Sequence, residues 1–178
     1  LLTGDVCYLT DAVGTPGTGG FKYGFIQESL HKHRFWGFYP MKAQRTWDIF
    51  WAIKHFVGRE KVAQYFSDSS RQIVRAVRTL GINHEHSQPG VSRSNGIIEA
   101  LVGSLCDAVR AALVTAGLPG CFWPFAGPCI ALLRNVWVHG DGVSAWYERF
   151  GETFEGLLIP FGALVWFRPS IIKCELAK

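Results

Sequence analysis

The chain has 178 residues, a length that fits one domain with a substantial core. Apolar residues make up 48% and charged residues 18%, which excludes a disordered chain. The net charge of +4 permits a polyanionic partner without demanding one. The five cysteines (Cys7, Cys106, Cys121, Cys129, Cys174) include no C-x-x-C pair. Their odd number argues against a disulfide framework or structural zinc, and a reducing compartment is the simpler reading. No apolar run is long enough to span a bilayer, and the first residues do not read as a signal segment. The chain opens on Leu1-Leu2 without Met and reads as a fragment of a longer polypeptide.

Taken in order, Val6 to Leu9 reads as a strand ending at Thr10-Asp11. A turn with four glycines follows at 14–20. Phe21 to Ile26 alternates as a half-buried strand, and aromatic-rich Phe35 to Tyr39 suits a third. From Lys42 to Val57 the pattern is helical, with Ile49, Ile53, Phe56 and Val57 on one face and Gly58 as the stop. Val62 to Phe66 is a short buried strand whose end delivers Asp68. Ser69 and Ser70 open a helix with Ile73, Val74, Val77 and Leu80 inward and Arg71, Arg75 and Arg78 outward. Ile82 to His86 reads as a fifth strand. After a loop at 87–90, the longest helix runs from about Ser94 to Ala116 with a continuous apolar stripe. Phe122 to Val138 reads as a helix bent at Gly127-Pro128. Leu157 to Phe167, closed by Pro169, reads as two short strands. The expected class is α/β: a mixed five-stranded sheet flanked by helices, with a short C-terminal β extension. The expected units are a core over 1–138 and an extension over 139–178.

Three acids fall at element ends: Asp11, Asp68 and Glu99. Hard cations such as Mg²⁺ and Mn²⁺ prefer oxygen ligands, so three converging carboxylates suffice to hold them. Paired divalent ions of this kind serve phosphodiester chemistry by clamping the attacking and leaving oxygens. The plain alternative for Asp68 is a cap on the helix that follows it.

Several segments carry a resemblance. Phe66-Ser67-Asp68-Ser69 resembles the S-D-N segment of retroelement integrases. Leu80-Gly81-Ile82, Ser87-Gln88-Pro89-Gly90, Ser94-Asn95-Gly96 and Glu99 resemble the run that follows it. Asp11-Ala12-Val13-Gly14 is similar to the D-x-x-G at the first catalytic acid, with Asp5 as a rival first acid. Ala116-Gly117-Leu118-Pro119, Phe122-Trp123-Pro124-Phe125-Ala126 and Leu132-Leu133-Arg134-Asn135 resemble a later segment of copia-type elements, and 158–165 resembles the segment that ends their core. The resemblance runs from about Asp5 to Pro169. It implies an RNase H-like fold and an acidic triad of Asp11, Asp68 and Glu99 holding Mg²⁺ or Mn²⁺. It further implies DNA integration, by 3′-end processing and strand transfer, within a retrotransposon polyprotein. The partners it implies are element ends, target DNA and further copies of the chain. The place of action it implies is the nucleus, with cytoplasmic assembly as an option.

Arg93 and Asn95, beside Glu99, are expected to meet the DNA backbone, and Arg71 and Arg75 are further candidates. Ser69 and Ala100, directly beside two of the acids, motivate a second reading: a remnant that binds nucleic acid or serves structurally without catalysis. A cellular RNase H-like nuclease is a third. The pairs His31/His33 and His84/His86 alternate as on a strand and lack cysteine partners for zinc. The glycine-rich stretch at 14–20 lacks the Lys-Ser/Thr of a phosphate loop.

Overall fold

The structure, a computed structural model, describes residues 1–68, 70–86 and 92–166, without the side chains of 11, 12, 86 and 92–95. Five strands form one sheet: β1 (Leu2–Tyr8), β2 (Tyr23–Ser29), β3 (Trp36–Met41), β4 (Gln64–Ser67) and β5 (Asn83–His86). Their order across the sheet is β3-β2-β1-β4-β5. The pairs β1/β2 and β2/β3 are antiparallel, and β1/β4 and β4/β5 are parallel. The expected mixed five-stranded sheet is therefore present.

The helices are α1 (Leu9–Val13), α2 (Thr46–Val57), α3 (Arg71–Thr79), α4 (Ser92–Thr115), α5 (Trp123–Val136) and α6 (Ala145–Phe150). The alternation of β2 explains why both sheet faces are covered. Phe25 enters one apolar cluster with Ile49, Ile53, Phe56, Ile73 and Val77, on the side of α2 and α3. Its neighbour Ile26 enters the other, with Leu101, Leu105, Val109, Leu113 and Trp123, on the side of α4 and α5. A period of two in the strand thus feeds two helical layers.

Several boundaries differ from the sequence reading. The first strand is longer at its start and ends at Tyr8, and Leu9–Val13 forms a helical turn instead of strand. Burial of Leu9 and the bond from its N–H to the Lys22 carbonyl (3.0 Å) turn the chain inward there. Gly14, at φ 81°, closes that turn in a left-handed conformation suited to glycine. Asp11 therefore sits in a helical turn and not at a strand end.

The helix α5 runs through Pro128 without a break. Gly127 is there for close packing: a Cβ would lie 2.3 Å from Phe38 Cε1. The expected C-terminal β extension is not formed among the described residues, since 151–166 contains no strand. The short helix α6 was not foreseen. The Ser144 hydroxyl caps it by accepting the Tyr147 N–H at 3.1 Å, and Arg149 ties it to Glu60 at 2.7 Å.

One buried polar contact closes the sheet on the β3 side. Asn135 of α5 accepts the Trp36 N–H on Oδ1 (2.7 Å) and donates from Nδ2 to the Trp36 carbonyl (2.8 Å). It gives an edge strand the partner that a further strand would otherwise supply. No helix among the described residues is long and apolar enough to cross a membrane.

Candidate functional site

The parallel pairing of β1 with β4 sets Leu2 opposite Tyr65 and Thr3 opposite Phe66. Continued by two residues, the same register sets position 5 beside position 68. Neighbouring strands lie about 4.8 Å apart, so the two carboxylates arise from adjacent points at one end of the sheet. Asp68 is exposed just beyond the end of β4, and Asp5 is half-buried within β1.

Electrostatics records their proximity. Burial pushes the Asp5 carboxyl up to about 6, and the negative charge of Asp68 adds to the rise, against a bond from the Val6 N–H. That bond is 2.7 Å long, to Asp5 Oδ1. Like charges near one another in a partly desolvated site raise a carboxyl pKa in this way. Asp68 in turn accepts the Ser70 N–H on Oδ1 at 3.0 Å, an Asx turn ahead of α3. Ser70 is the N-cap of that helix and no side chain caps it, so the capping role expected as the plain alternative for Asp68 is not formed. Behind the pair, the Ser67 hydroxyl donates to the Asp68 carbonyl (2.9 Å) and lies 2.8 Å from His84 Nε2.

Glycine and tyrosine shape the floor. Gly4 leaves room for Tyr65, whose hydroxyl would lie 2.1 Å from a Cβ at that position. The buried Tyr65 hydroxyl donates to Gln27 Oε1 at 3.3 Å. Its pKa is held well above that of an ordinary tyrosine, first by burial and then by the charge of Asp5. On the other side, Cys7 of β1 meets Cys106 of α4. The hydrogen bond between these thiols, and then burial, raise the Cys7 pKa. This contact and the cluster around Leu101 and Leu105 lay α4 against the sheet.

Glu99 is exposed in α4, one residue after buried Ile98. The structure does not gather it with Asp5 and Asp68: among the described residues no three His, Cys, Asp or Glu side chains converge to hold a metal ion. The side chains of Asp11, Arg93 and Asn95 lie outside the description, as do Ser69 and the loop at 87–91. Arg71, Arg75 and Arg78 are all exposed on α3, the helix that starts just after Asp68. Of the histidines, His33 stacks on His139 (ring centroids 4.8 Å apart) and lies 3.1 Å from Asp141.

Asp5, the rival in the sequence reading, is thus the acid that the fold places with Asp68. The signal for it was Leu2-Thr3-Gly4-Asp5-Val6-Cys7 as one strand. Gly4 and the polar residues beside it hide the strand's first half, because glycine in a strand ordinarily signals an interruption.

The sheet order and the parallel crossovers define an RNase H-like fold, that of integrase catalytic cores. The structure aligns with the catalytic core domain of BIV integrase at a TM-score of 0.54 and 16% identity, covering 83% of this chain and 91% of that one. It aligns with a chain of the simian T-cell lymphotropic virus intasome, solved in complex with PP2A regulatory subunit B56 gamma, at a TM-score of 0.62 and 13% identity. That match covers 89% of this chain and 58% of the other. In sequence, the chain is 29% identical over 127 residues to the retrovirus-related Pol polyprotein from transposon TNT 1-94 of Nicotiana tabacum, covering 66% of this chain and 9% of that polyprotein. No protein-family model matches the sequence. The two structures show the fold of an integrase catalytic core, and the chain spans 9% of the length of the polyprotein it matches.

Proposed function

We propose that the chain is the catalytic core of a retrotransposon integrase, acting on DNA phosphodiesters with Asp5 and Asp68 as its central acids. One observation carries this reading: two carboxylates from adjacent parallel strands meet at one end of an RNase H-like sheet, and one has its pKa raised to about 6 by burial and by the other.

The donor set fits Mg²⁺ or Mn²⁺ in two of three positions. Two oxygen-only carboxylates that repel one another are relieved by a shared hard cation. Glu99 is the third ligand in this reading and reaches the pair by adjustment of the start of α4. A divalent ion held there supplies charge neutralisation at phosphorus and activation of a water or a DNA 3′-hydroxyl. The protein's own part is to fix the acids. The Val6 N–H orients Asp5, and the Ser70 N–H orients Asp68. Asp11, preferred from sequence for its Gly14, is set aside in favour of Asp5 because it follows β1 in a separate helical turn. DNA and further copies of the chain are the proposed partners, in keeping with the intasome to which the fold is similar.

Arg71 and Arg75 are one helical turn apart, about 6 Å along the axis, and extend away from Asp68 on the exposed side of α3. They are proposed to meet DNA phosphates, together with Arg93 and Asn95. Arg71→Gln and Arg75→Gln should each lower the slope of log affinity against log salt by about 1 in a DNA-binding titration, uniformly across DNA sequences. An unchanged slope would remove them from the interface.

The direct test is joining or nicking of plasmid DNA in Mn²⁺. Wild type should act, and Asp68→Asn should lose activity while its circular dichroism spectrum is retained. Full activity in Asp68→Asn would refute the assignment. A second reading, a remnant that keeps the fold without the chemistry, is favoured by the separation of Glu99 from the acid pair. It predicts a wild-type chain that neither cleaves DNA nor binds Mn²⁺.

A further inference from the structure

Two thiols face one another between β1 and α4. Cys7 is half-buried near the end of β1, beside exposed Tyr8, and Cys106 is buried on α4. Both are free. Cys106 belongs to the apolar cluster on the α4 side of the sheet, and Cys7 packs against that cluster. The Cys7 thiol donates to Cys106, and this bond draws the Cys106 pKa down to about 7 against the opposing effect of burial. A thiol that titrates near the ambient pH is the best placed to attack. The half-buried position of Cys7 leaves the pair open to a small oxidant from the β1 side.

The pair joins two elements that carry acids. Side chains two apart in a strand share a face, so Cys7 lies on the same face of β1 as Asp5. Seven residues separate Glu99 from Cys106. That is two turns of helix, about 10 Å, so the two lie on nearly the same stripe of α4. A metal is the poorer occupant for the thiols. Two thiolates make only half of a tetrahedral zinc site, and among the described residues no three His, Cys, Asp or Glu side chains converge. Oxidation needs no third partner.

We propose that Cys7 and Cys106 form a reversible oxidation site, at which a peroxide converts the two thiols into a disulfide that fastens α4 to β1. The Cys106 thiolate attacks one peroxide oxygen, the O–O bond breaks, and the departing hydroxide takes up a proton as water. The Cys7 sulfur then attacks the sulfenic acid, the S–O bond breaks, and a second water leaves. The thiols together give up two electrons and two protons, and one peroxide becomes two waters. Exchange with an excess of a small thiol such as glutathione restores the pair. The closed loop from 7 to 106 spans more than half of the chain, which is the kind of link that most restricts the unfolded state. A further consequence rests on the proposed function. The link holds α4 where Glu99 stands apart from Asp5 and Asp68, so the oxidised chain binds Mn²⁺ more weakly than the reduced one.

The test is peptide mapping of the whole chain before and after hydrogen peroxide, with remaining thiols alkylated. Trypsin releases residues 1–22 and 94–110, each with one cysteine. After peroxide the two should appear as one linked species that dithiothreitol separates. The linked chain should melt higher than the reduced chain by roughly 5 °C or more. Cys7→Ser and Cys106→Ser, with unchanged circular dichroism, should show neither the link nor the shift. Calorimetric titration with Mn²⁺ should give at least about fivefold weaker binding to the linked chain. Three results would overturn the assignment of the pair: peptides that stay unlinked, oxidation that ends as sulfinic acid on separate cysteines, or a link that joins two copies of the chain. Equal Mn²⁺ affinity in the two forms would overturn the control of the metal site. Absence of Mn²⁺ binding from both forms would count against the proposed function and leave the link standing.

Discussion

Asp5→Asn should remove Mn²⁺-dependent DNA joining or nicking and at the same time stabilise the metal-free protein. The two effects have one cause. In the metal-free site the Asp5 carboxyl is burdened by partial burial and by the charge of Asp68, which together raise its pKa to about 6 from 3.8. A carboxyl whose pKa is raised in the folded state binds more protons there than in the unfolded chain. Its protonated form therefore supports folding at low pH, and that support is lost as pH rises from about 4 through about 6. A rise of roughly two pKa units corresponds to about 3 kcal/mol at the most. Asparagine cannot ionise, so Asp5→Asn should flatten the fall of thermal stability between pH 4 and 6. At neutral pH it should melt higher than wild type without metal. In Mg²⁺ the order should narrow or reverse, because the wild-type carboxylates gain their counter-ion and the variant does not. Activity should fall at least about 10²-fold, the scale for losing one preorganised charge-stabilising group. A variant that is both less stable without metal and fully active would break the link between the strain and the site.

Asn135→Ala should be the most damaging polar-to-alanine change in the core. Asn135 is 3% exposed and serves both backbone groups of Trp36. Alanine would leave the N–H and the carbonyl of half-buried Trp36 without their protein partners on the outer side of β3. Each unsatisfied group costs about 1–3 kcal/mol, so the sum falls at roughly 2–6 kcal/mol. In urea, with a slope of about 2 kcal/mol/M for a domain of this size, the midpoint should drop by 1 M or more, roughly in proportion. Asn135→Asp, which sets a carboxylate oxygen against the Trp36 carbonyl in place of the donor, should be at least as damaging at neutral pH. A change confined to a few tenths of a molar would mean that water replaces the amide and that β3 is less enclosed than its packing against α5 indicates. The residue belongs to the Leu132–Asn135 segment that carries the copia-type resemblance. Its role in the structure is to hold the sheet edge.

Much of the fold was legible because hydrophobic period reports burial directly. The single-face stripes of α2, α3 and α4 and the alternation of β2 emerge from spacing alone, and with them the two-sided sheet. The misreadings share a cause, namely contacts distant in sequence. Gly4 looks like a strand breaker until Tyr65 occupies the space it leaves, and this hid the first half of β1, so Asp5 was read only as the rival of Asp11. Gly127-Pro128 looks like a kink until Phe38 packs against the glycine. Leu157 to Trp166 has the apolar content of strands, but no partner strand lies beside it among the described residues, and content without pairing does not make a sheet. For the site, Asp68 was legible from the strand that precedes it. The choice between Asp5 and Asp11 was not, since it depends on the register of β1 against β4, which no local pattern encodes.

The most direct test of the acid pair is calorimetric titration of Mn²⁺ into four proteins: wild type, Asp5→Asn, Asp68→Asn and Asp11→Asn. Binding should be present in wild type and in Asp11→Asn and absent in Asp5→Asn and Asp68→Asn. Undiminished binding in Asp5→Asn, or its loss in Asp11→Asn, would contradict the placement of the site between β1 and β4.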